Sequence, residues 1–82
     1  MKSLTDLANS YDECAKGHED AAEMILVGVA SYALGIRERQ YERADWLMAE
    51  ATGLRARAAN LRKANAAMLD ELRRLTPVFS SN

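Results

Sequence analysis

The sequence has little cysteine, proline or histidine: one of each among 82 residues. Cys14 has no second cysteine for an intrachain disulfide, so a reducing compartment, the cytoplasm, is the expected location. Residues 1–10 lack the apolar stretch of a secretory signal. The apolar stretch at residues 21–36 is shorter than the about 20 residues that a membrane-spanning helix needs. No membrane association is therefore expected.

Motifs for catalysis and cofactor binding are also missing. The sequence has no glycine-rich phosphate loop, and His18 belongs to no nucleophile motif. Cys14 lies four residues before His18, but two ligands do not make a zinc site, and Cys14 is predicted to be a small buried residue. Glu38 and Glu42 alternate with arginines, as on a solvated face. We therefore expect no enzymatic activity, catalytic residue, metal, cofactor or small-molecule substrate.

The composition that remains is typical of an all-α protein. Hydrophobic residues make up 49% and charged residues 28% of the chain, which excludes a disordered composition. Alanine, leucine, arginine and glutamate, all good helix formers, are abundant. A chain of this size buries only about 60% of its unfolded surface. It should form a single helical domain over residues 1–76, with a marginal core.

Capping and helix-breaking residues predict where the helices begin and end. Ser3 and Asp6 fit a capping box, Gly17 fits a left-handed stop, Gly53 is a weak break, and Pro77 should close the last helix. The apolar steps of three and four residues also continue past both glycines, so longer helices are an alternative. The predicted elements are helices over about 4–16, 20–51 and 54–76, then a flexible tail over 77–82.

Residues 21–36 are nearly all apolar or small. Such a stretch is expected to be covered on several sides, which predicts that it forms the centre of the fold. Gly28, Ala30, Ala33 and Gly35 are expected to permit close approach of a neighbouring backbone.

The sharpest pattern is a seven-residue repeat in the second half of the chain, typical of a coiled-coil seam. The companion positions Ala44, Ala51 and Ala58 are small, which favours closely spaced helices, and Asn65 is the polar exception. The predicted helix-packing or dimer seam consists of Leu47, Leu54, Leu61, Met68, Leu72 and Leu75. Its predicted packing partners are Leu7, Tyr11, Ile25, Val29 and Tyr32.

These elements predict a helical hairpin or a three-helix arrangement with coiled-coil-like packing. One copy has more apolar stripe than a short hairpin can cover. A homodimer, most simply a two-fold dimeric bundle, is therefore expected.

Charge is divided unequally between the two parts of the chain. Residues 1–51 carry five basic and ten acidic side chains, whereas residues 52–82 carry six basic and two acidic ones. This asymmetry predicts that the two parts pack on each other, within a chain or between chains. Nucleic-acid binding by the basic C-terminal helix is the competing interpretation.

Residues 40–51 resemble the second helix of a tetratricopeptide repeat, with Tyr41, Ala44, Met48 and Ala51 at fitting spacing. The resemblance covers a dozen residues, and no second copy follows at the repeat length of about 34 residues. The pattern indicates a helical hairpin rather than a repeat protein.

The excess of apolar helix surface, together with the lack of catalytic motifs, predicts non-enzymatic protein binding. The chain would be a small adaptor, chaperone or inhibitor that presents a helix face to a larger protein. The alternatives are a nucleic-acid-associated regulator and a structural coiled-coil subunit of a larger assembly. The candidate partner surface consists of Tyr41, Trp46, Arg55, Arg62, Lys63, Arg73, Arg74 and Phe79.

Overall fold

The computed structural model describes the backbone of residues 3–80 and the side chains of residues 3–75. It contains helix α1 (Leu4–Gly28), a short 3-10 helix (Val29–Ser31) and helix α2 (Leu34–Ser80). The two α-helices pack against each other, and the described residues include no strand. The predicted all-α class is confirmed.

α1 begins with the predicted capping box. Ser3 Oγ accepts a hydrogen bond from the Asp6 backbone N–H at 3.1 Å, and Asp6 Oδ2 accepts one from the Ser3 N–H at 3.4 Å. This reciprocal pair satisfies two amide donors that the helix start would otherwise leave unpaired.

α1 does not stop at Gly17. The helix continues through this residue to Gly28, and no residue of the described chain has a positive φ angle. The predicted left-handed stop is therefore wrong, and the alternative of a longer helix through Gly17 is confirmed. Glycine inside a helix costs about 1 kcal/mol relative to alanine, and packing of α1 against α2 offsets this cost.

The chain reverses direction at residues 29–33, where the sequence predicts continuous helix. Tyr32 is extended, with φ −98° and ψ 153°. Arg37, in the first turn of α2, donates from Nε to the Tyr32 carbonyl at 2.6 Å and from Nη2 to the Ala30 carbonyl at 3.2 Å. The guanidinium thus satisfies carbonyls beyond the end of α1, where a positive charge also complements the helix dipole.

Residues 21–36 are therefore one end of the hairpin and not its centre. Val27 is 80% exposed, Met24 76% and Leu34 74%. The prediction of a covered stretch is wrong because the chain turns within it and no second layer of described helix covers it. A Cβ atom added at Gly28 or Gly35 would meet no other atom within 4 Å, so these glycines do not serve close packing either.

α2 is a single helix of 47 residues. It passes through Gly53, as the longer-helix alternative allowed, and through Pro77, which was predicted to end it. Proline removes one backbone hydrogen bond, a smaller loss near a helix end than in its middle. The described residues thus form two α-helices packed against each other, so the three predicted helices are wrong and the two-helix alternative fits. Residues 77–80 of the predicted tail belong to α2, and residues 81 and 82 lie outside the described chain.

The core is a stripe of small side chains spaced seven residues apart on each helix. The small side chains allow the helix axes to approach toward the lower end of the usual range of about 8–10 Å. The buried residues are Ala8, Ala15, Ala22 and Val29 on one side and Ala44, Leu47, Ala51 and Ala58 on the other.

The predicted packing partners of the seam are only partly right. Val29 is buried, and Tyr11 and Ile25 are half-buried at the interface. Leu7 and Tyr32 are exposed. Alanines take most of the positions that larger side chains were predicted to fill.

The molecule is a rod of 74 × 18 × 16 Å. Its radius of gyration is 20.2 Å, against about 12 Å for a compact domain of this length. Forty-seven helical residues extend about 70 Å, so α2 alone accounts for the length of the rod. No helix in the described part of the chain is long and apolar enough to cross a bilayer.

Candidate partner-binding surfaces

The contact between Thr5 and Asn65 shows how far α1 reaches along α2. Asn65 Nδ2 donates to Thr5 Oγ1 at 3.4 Å, and α1 begins one residue earlier, at Leu4. Because the helices are antiparallel, α2 continues past the start of α1. We call residues 69–80 the α2 end segment. It is about 18 Å long, and no other described helix lies beside it.

The α2 end segment carries the last part of the predicted seam at its surface. Met68 at its border, together with Leu69, Leu72 and Leu75, is between 43% and 52% exposed. Earlier in the seam Leu47 is buried, and Leu54 and Leu61 are half-buried. We call this group of four side chains the end stripe: Met68, Leu69, Leu72 and Leu75.

A second apolar surface lies near the turn, at the opposite end of the rod. An open groove of about 510 Å³ is lined by the apolar residues Ala22, Leu26, Val27 and Met48 and by Glu19 and Glu23. A neighbouring depression of about 330 Å³ shares Glu23 and Val27 and adds Asp20 and Met24. We call the two together the turn-end groove.

The polar lining of the turn-end groove is entirely acidic. It consists of Glu19, Asp20 and Glu23, and no basic side chain of the described residues lines either part. Glu19 is paired with Arg55, whereas Asp20 and Glu23 form no ion pair with any side chain that the structure describes. Three carboxylates beside apolar lining residues give the groove a negative potential that attracts cations.

Between the two ends, arginines of α2 pair with acids of α1. Arg55 Nε donates to Glu19 Oε2 at 3.1 Å, its Nη2 contacts Glu19 Oε1, and its Nη1 lies 3.6 Å from Asp12 Oδ1. Arg62 Nη2 lies 2.6 Å from Asp12 Oδ2 and donates to Asn9 Oδ1 at 3.0 Å. The prediction that the acidic and basic parts pack on each other within the chain is confirmed.

The Arg55 contact shifts the titration of both partners. Its hydrogen bonds lower the pKa of the Glu19 carboxyl below the ordinary value of 4.5, and the same contact raises the pKa of Arg55. The side chains are 46% and 31% exposed, so solvent screens the pair. These ion pairs favour the antiparallel register more than they add stability.

The predicted basic partner residues differ in how far they are already engaged. Arg55 and Arg62 pair with α1, and Arg74 Nη1 lies 3.5 Å from a carboxylate oxygen of Glu71 on its own helix. Lys63 and Arg73 are exposed and form no ion pair within the described part of the chain. Only Lys63 and Arg73 of these five basic side chains are therefore without an ion pair among the described residues.

The predicted aromatic partner residues lie apart from the end stripe. Trp46 is 59% exposed, and its ring meets that of His18 edge to face, with centroids 6.3 Å apart. Tyr41 is exposed near the turn. The side chain of Phe79 lies outside those that the structure describes.

Cys14 is exposed, so the prediction of a buried cysteine is wrong. The buried position on this face of α1 belongs to the next residue, Ala15. Across the described residues, no group of three or more His, Cys, Asp or Glu side chains is placed to hold a metal ion.

The turn-end groove was not predicted from the sequence. Leu26 and Val27 were assigned to the core, because an apolar stretch fits a buried helix as well as a partner surface. One signal pointed to a turn: Arg37 follows the apolar stretch, and a basic side chain is common where a helix C-terminus must be capped. Comparisons with family models, curated proteins and solved structures give no match to this chain.

Proposed function

We propose that this protein is a non-enzymatic protein-binding module, an adaptor, chaperone or inhibitor that presents apolar helix faces to other helices. The observation that supports this function is the end stripe. Its side chains are about half exposed, yet Met68, Leu72 and Leu75 continue the seven-residue spacing of the seam that packs against α1, and Leu69 widens the stripe. Exposed apolar surface in register with a packed helix interface is typical of helix association.

The occupant that best fits the end stripe is the end stripe of a second copy. In an antiparallel two-fold pair, the partner's α2 end segment would lie in line with α1. It would pack against α2 beyond the point where α1 begins. The end segments of the two copies are equal in length and have the same apolar spacing. The interface is therefore self-complementary, as two-fold symmetry requires. The packing would be coiled-coil-like, with Met68 and Leu75 at the contact.

This dimer should be reversible. A stripe about 18 Å long is one or two side chains wide, and stable interfaces bury about 800 Å² per partner. The end stripe alone is short of that area. Association is therefore expected to depend on protein concentration. A helix of a larger protein could then replace the second copy at the end stripe.

Sedimentation velocity over a hundredfold concentration range tests this proposal. The wild-type chain is expected to shift from monomer to dimer as concentration rises, and Leu75→Lys should keep it monomeric because it places a charge in the stripe. Leu34→Lys is the matched control, since Leu34 is exposed at the other end of the rod. A wild-type chain that stays monomeric, or an equal effect of both variants, contradicts self-association through the end stripe.

Nucleic-acid binding is the competing proposal and has less support. Three of the six basic side chains of residues 52–82, namely Arg55, Arg62 and Arg74, already pair with carboxylates. Phosphate contacts by these arginines would have to replace pairs that the fold already makes. Assembly into a larger coiled-coil structure uses the same end stripe and would appear in sedimentation as species beyond the dimer.

A further inference from the structure

We propose that the turn-end groove binds a basic amphipathic helix of a partner protein. This inference rests on the proposed protein-binding function but assigns it a second surface, at the opposite end of the rod from the end stripe. The two surfaces can be tested separately because no residue belongs to both.

The shape of the groove suits a helix. Its α1 side extends from Glu19 to Val27, which is about 12 Å or two helical turns. Met48 of α2 forms its other side, so the groove lies between two packed helices. A third helix laid there would add a layer to the hairpin, as in helical bundles.

The apolar lining of the groove suits the apolar face of such a helix. Val27 and Met24 are the most exposed large apolar side chains of the described chain, at 80% and 76%. Met48 is also exposed. Methionine is flexible and polarizable, so Met24 and Met48 can adapt to apolar anchors spaced three and four residues apart.

The rim of the groove determines the charge of its partner. Asp20 and Glu23 have no ion-pair partner among the described side chains, and Glu19 shares its charge with Arg55. A helix with lysine or arginine beside its apolar stripe would place cations opposite these carboxylates. An acidic helix would be repelled.

The α2 end segment of a second copy is a poorer match for this groove. Asp70 and Glu71 balance Arg73 and Arg74, so the segment brings no excess positive charge. Arg74 is in addition close to carboxylates of its own helix, at 3.5 and 3.9 Å. The charge pattern therefore favours a foreign basic helix over head-to-tail assembly of this chain.

Fluorescence anisotropy with the full chain and a labelled 14-residue peptide tests the proposal. The peptide contains only leucine and lysine, with leucines at helical spacing, and its control replaces every lysine by glutamate. We expect saturable binding of the lysine peptide and none of the glutamate peptide. Replacing both Met24 and Val27 by alanine should weaken binding about tenfold or more, because they are the most exposed apolar side chains that line the groove.

Charge variants and matched controls complete the design. Asp20→Asn combined with Glu23→Gln should weaken binding about five- to tenfold and reduce its dependence on salt. Leu34→Ala and Glu42→Gln alter an exposed leucine and an exposed acid outside the groove and should leave binding unchanged. Equal losses with these controls, or equal binding of both peptides, would overturn the proposal.

A peptide of residues 66–80 tests the alternative occupant of the groove, which is the α2 end segment of a second copy. Binding of this peptide to the groove with an affinity equal to that of the lysine peptide would overturn the assignment to a foreign basic helix and favour head-to-tail assembly. Weaker binding by about tenfold or more supports the assignment. Leu75→Lys should not change binding of the lysine peptide, so failure at the groove is distinguishable from failure of the end stripe.

Discussion

Asn65 donates a hydrogen bond to Thr5, and this contact lies at the last point where α1 accompanies α2. On one side of it the helices form a hairpin with a buried stripe of alanines. On the other side α2 continues alone and carries the exposed end stripe. The same seven-residue spacing thus serves the intramolecular seam first and a proposed intermolecular contact afterwards.

The alanine seam should tolerate little increase in volume. Ala58→Leu is expected to destabilise the fold by about 1–3 kcal/mol, because Ala58 is fully buried and a larger side chain would separate the helices. Ala59→Leu is the matched control on the exposed side of α2 and should change stability by less than about 0.5 kcal/mol. Urea unfolding followed by circular dichroism measures both, and equal effects would show that the alanines do not set the helix spacing.

The interior glycines should be replaceable at a gain in stability. Gly17 and Gly53 are helical, and a Cβ atom at either would meet no atom within 4 Å. Each change to alanine is expected to stabilise the protein by about 0.5–1 kcal/mol, which raises the melting temperature. A fall in melting temperature for Gly17→Ala would indicate that α1 bends or breaks at this residue.

Arg37 is expected to hold the turn closed. Its guanidinium donates to the carbonyls of Tyr32 and Ala30, so Arg37→Ala should destabilise the hairpin by about 1–2 kcal/mol. Arg39→Ala, at an exposed position two residues later, is the control and should have little effect. Hydrogen exchange should also become faster at residues 28–33 in Arg37→Ala alone.

Stability should fall at acidic pH because of Glu19. The pKa of this carboxyl is lower in the folded protein than its ordinary value of 4.5, so its contribution is present above pH 4.5 and is lost as the pH falls through the folded pKa. Glu19→Gln should flatten the dependence of the unfolding midpoint on pH between about 5 and 3. Glu23→Gln is the control without an ion pair, and an equal flattening would contradict a special role of the Arg55 contact.

The sequence predicted the helical class, the capping box at Ser3 and the attraction between the two oppositely charged parts. These features depend on local propensity and net charge, which a sequence states directly. The prediction failed at the turn, because Val29 to Ala33 contain none of the usual turn residues except a serine. Reversal there depends on tertiary contacts, including the bonds from Arg37 to carbonyls several residues away.

Large apolar side chains also do not mark the position of the seam on α1. Leu7 and Cys14 follow the expected steps, yet the buried positions are their neighbours Ala8 and Ala15. Alanine contributes little to apolar periodicity, although its seven-residue repeat is visible once sought. The turn-end groove was missed for a related reason: exposed and buried apolar stretches have the same composition.

Small-angle X-ray scattering over a range of concentrations can detect pairing through the end stripe, because the proposed dimer changes the length of the rod. One copy is 74 Å long. Pairing through the end segments, each about 18 Å, would give a maximum dimension of about 130 Å at high concentration, and dilution should restore the single-copy value. A maximum dimension that stays near 74 Å at every concentration, or a dimer no longer than one copy, would contradict pairing through the end stripe.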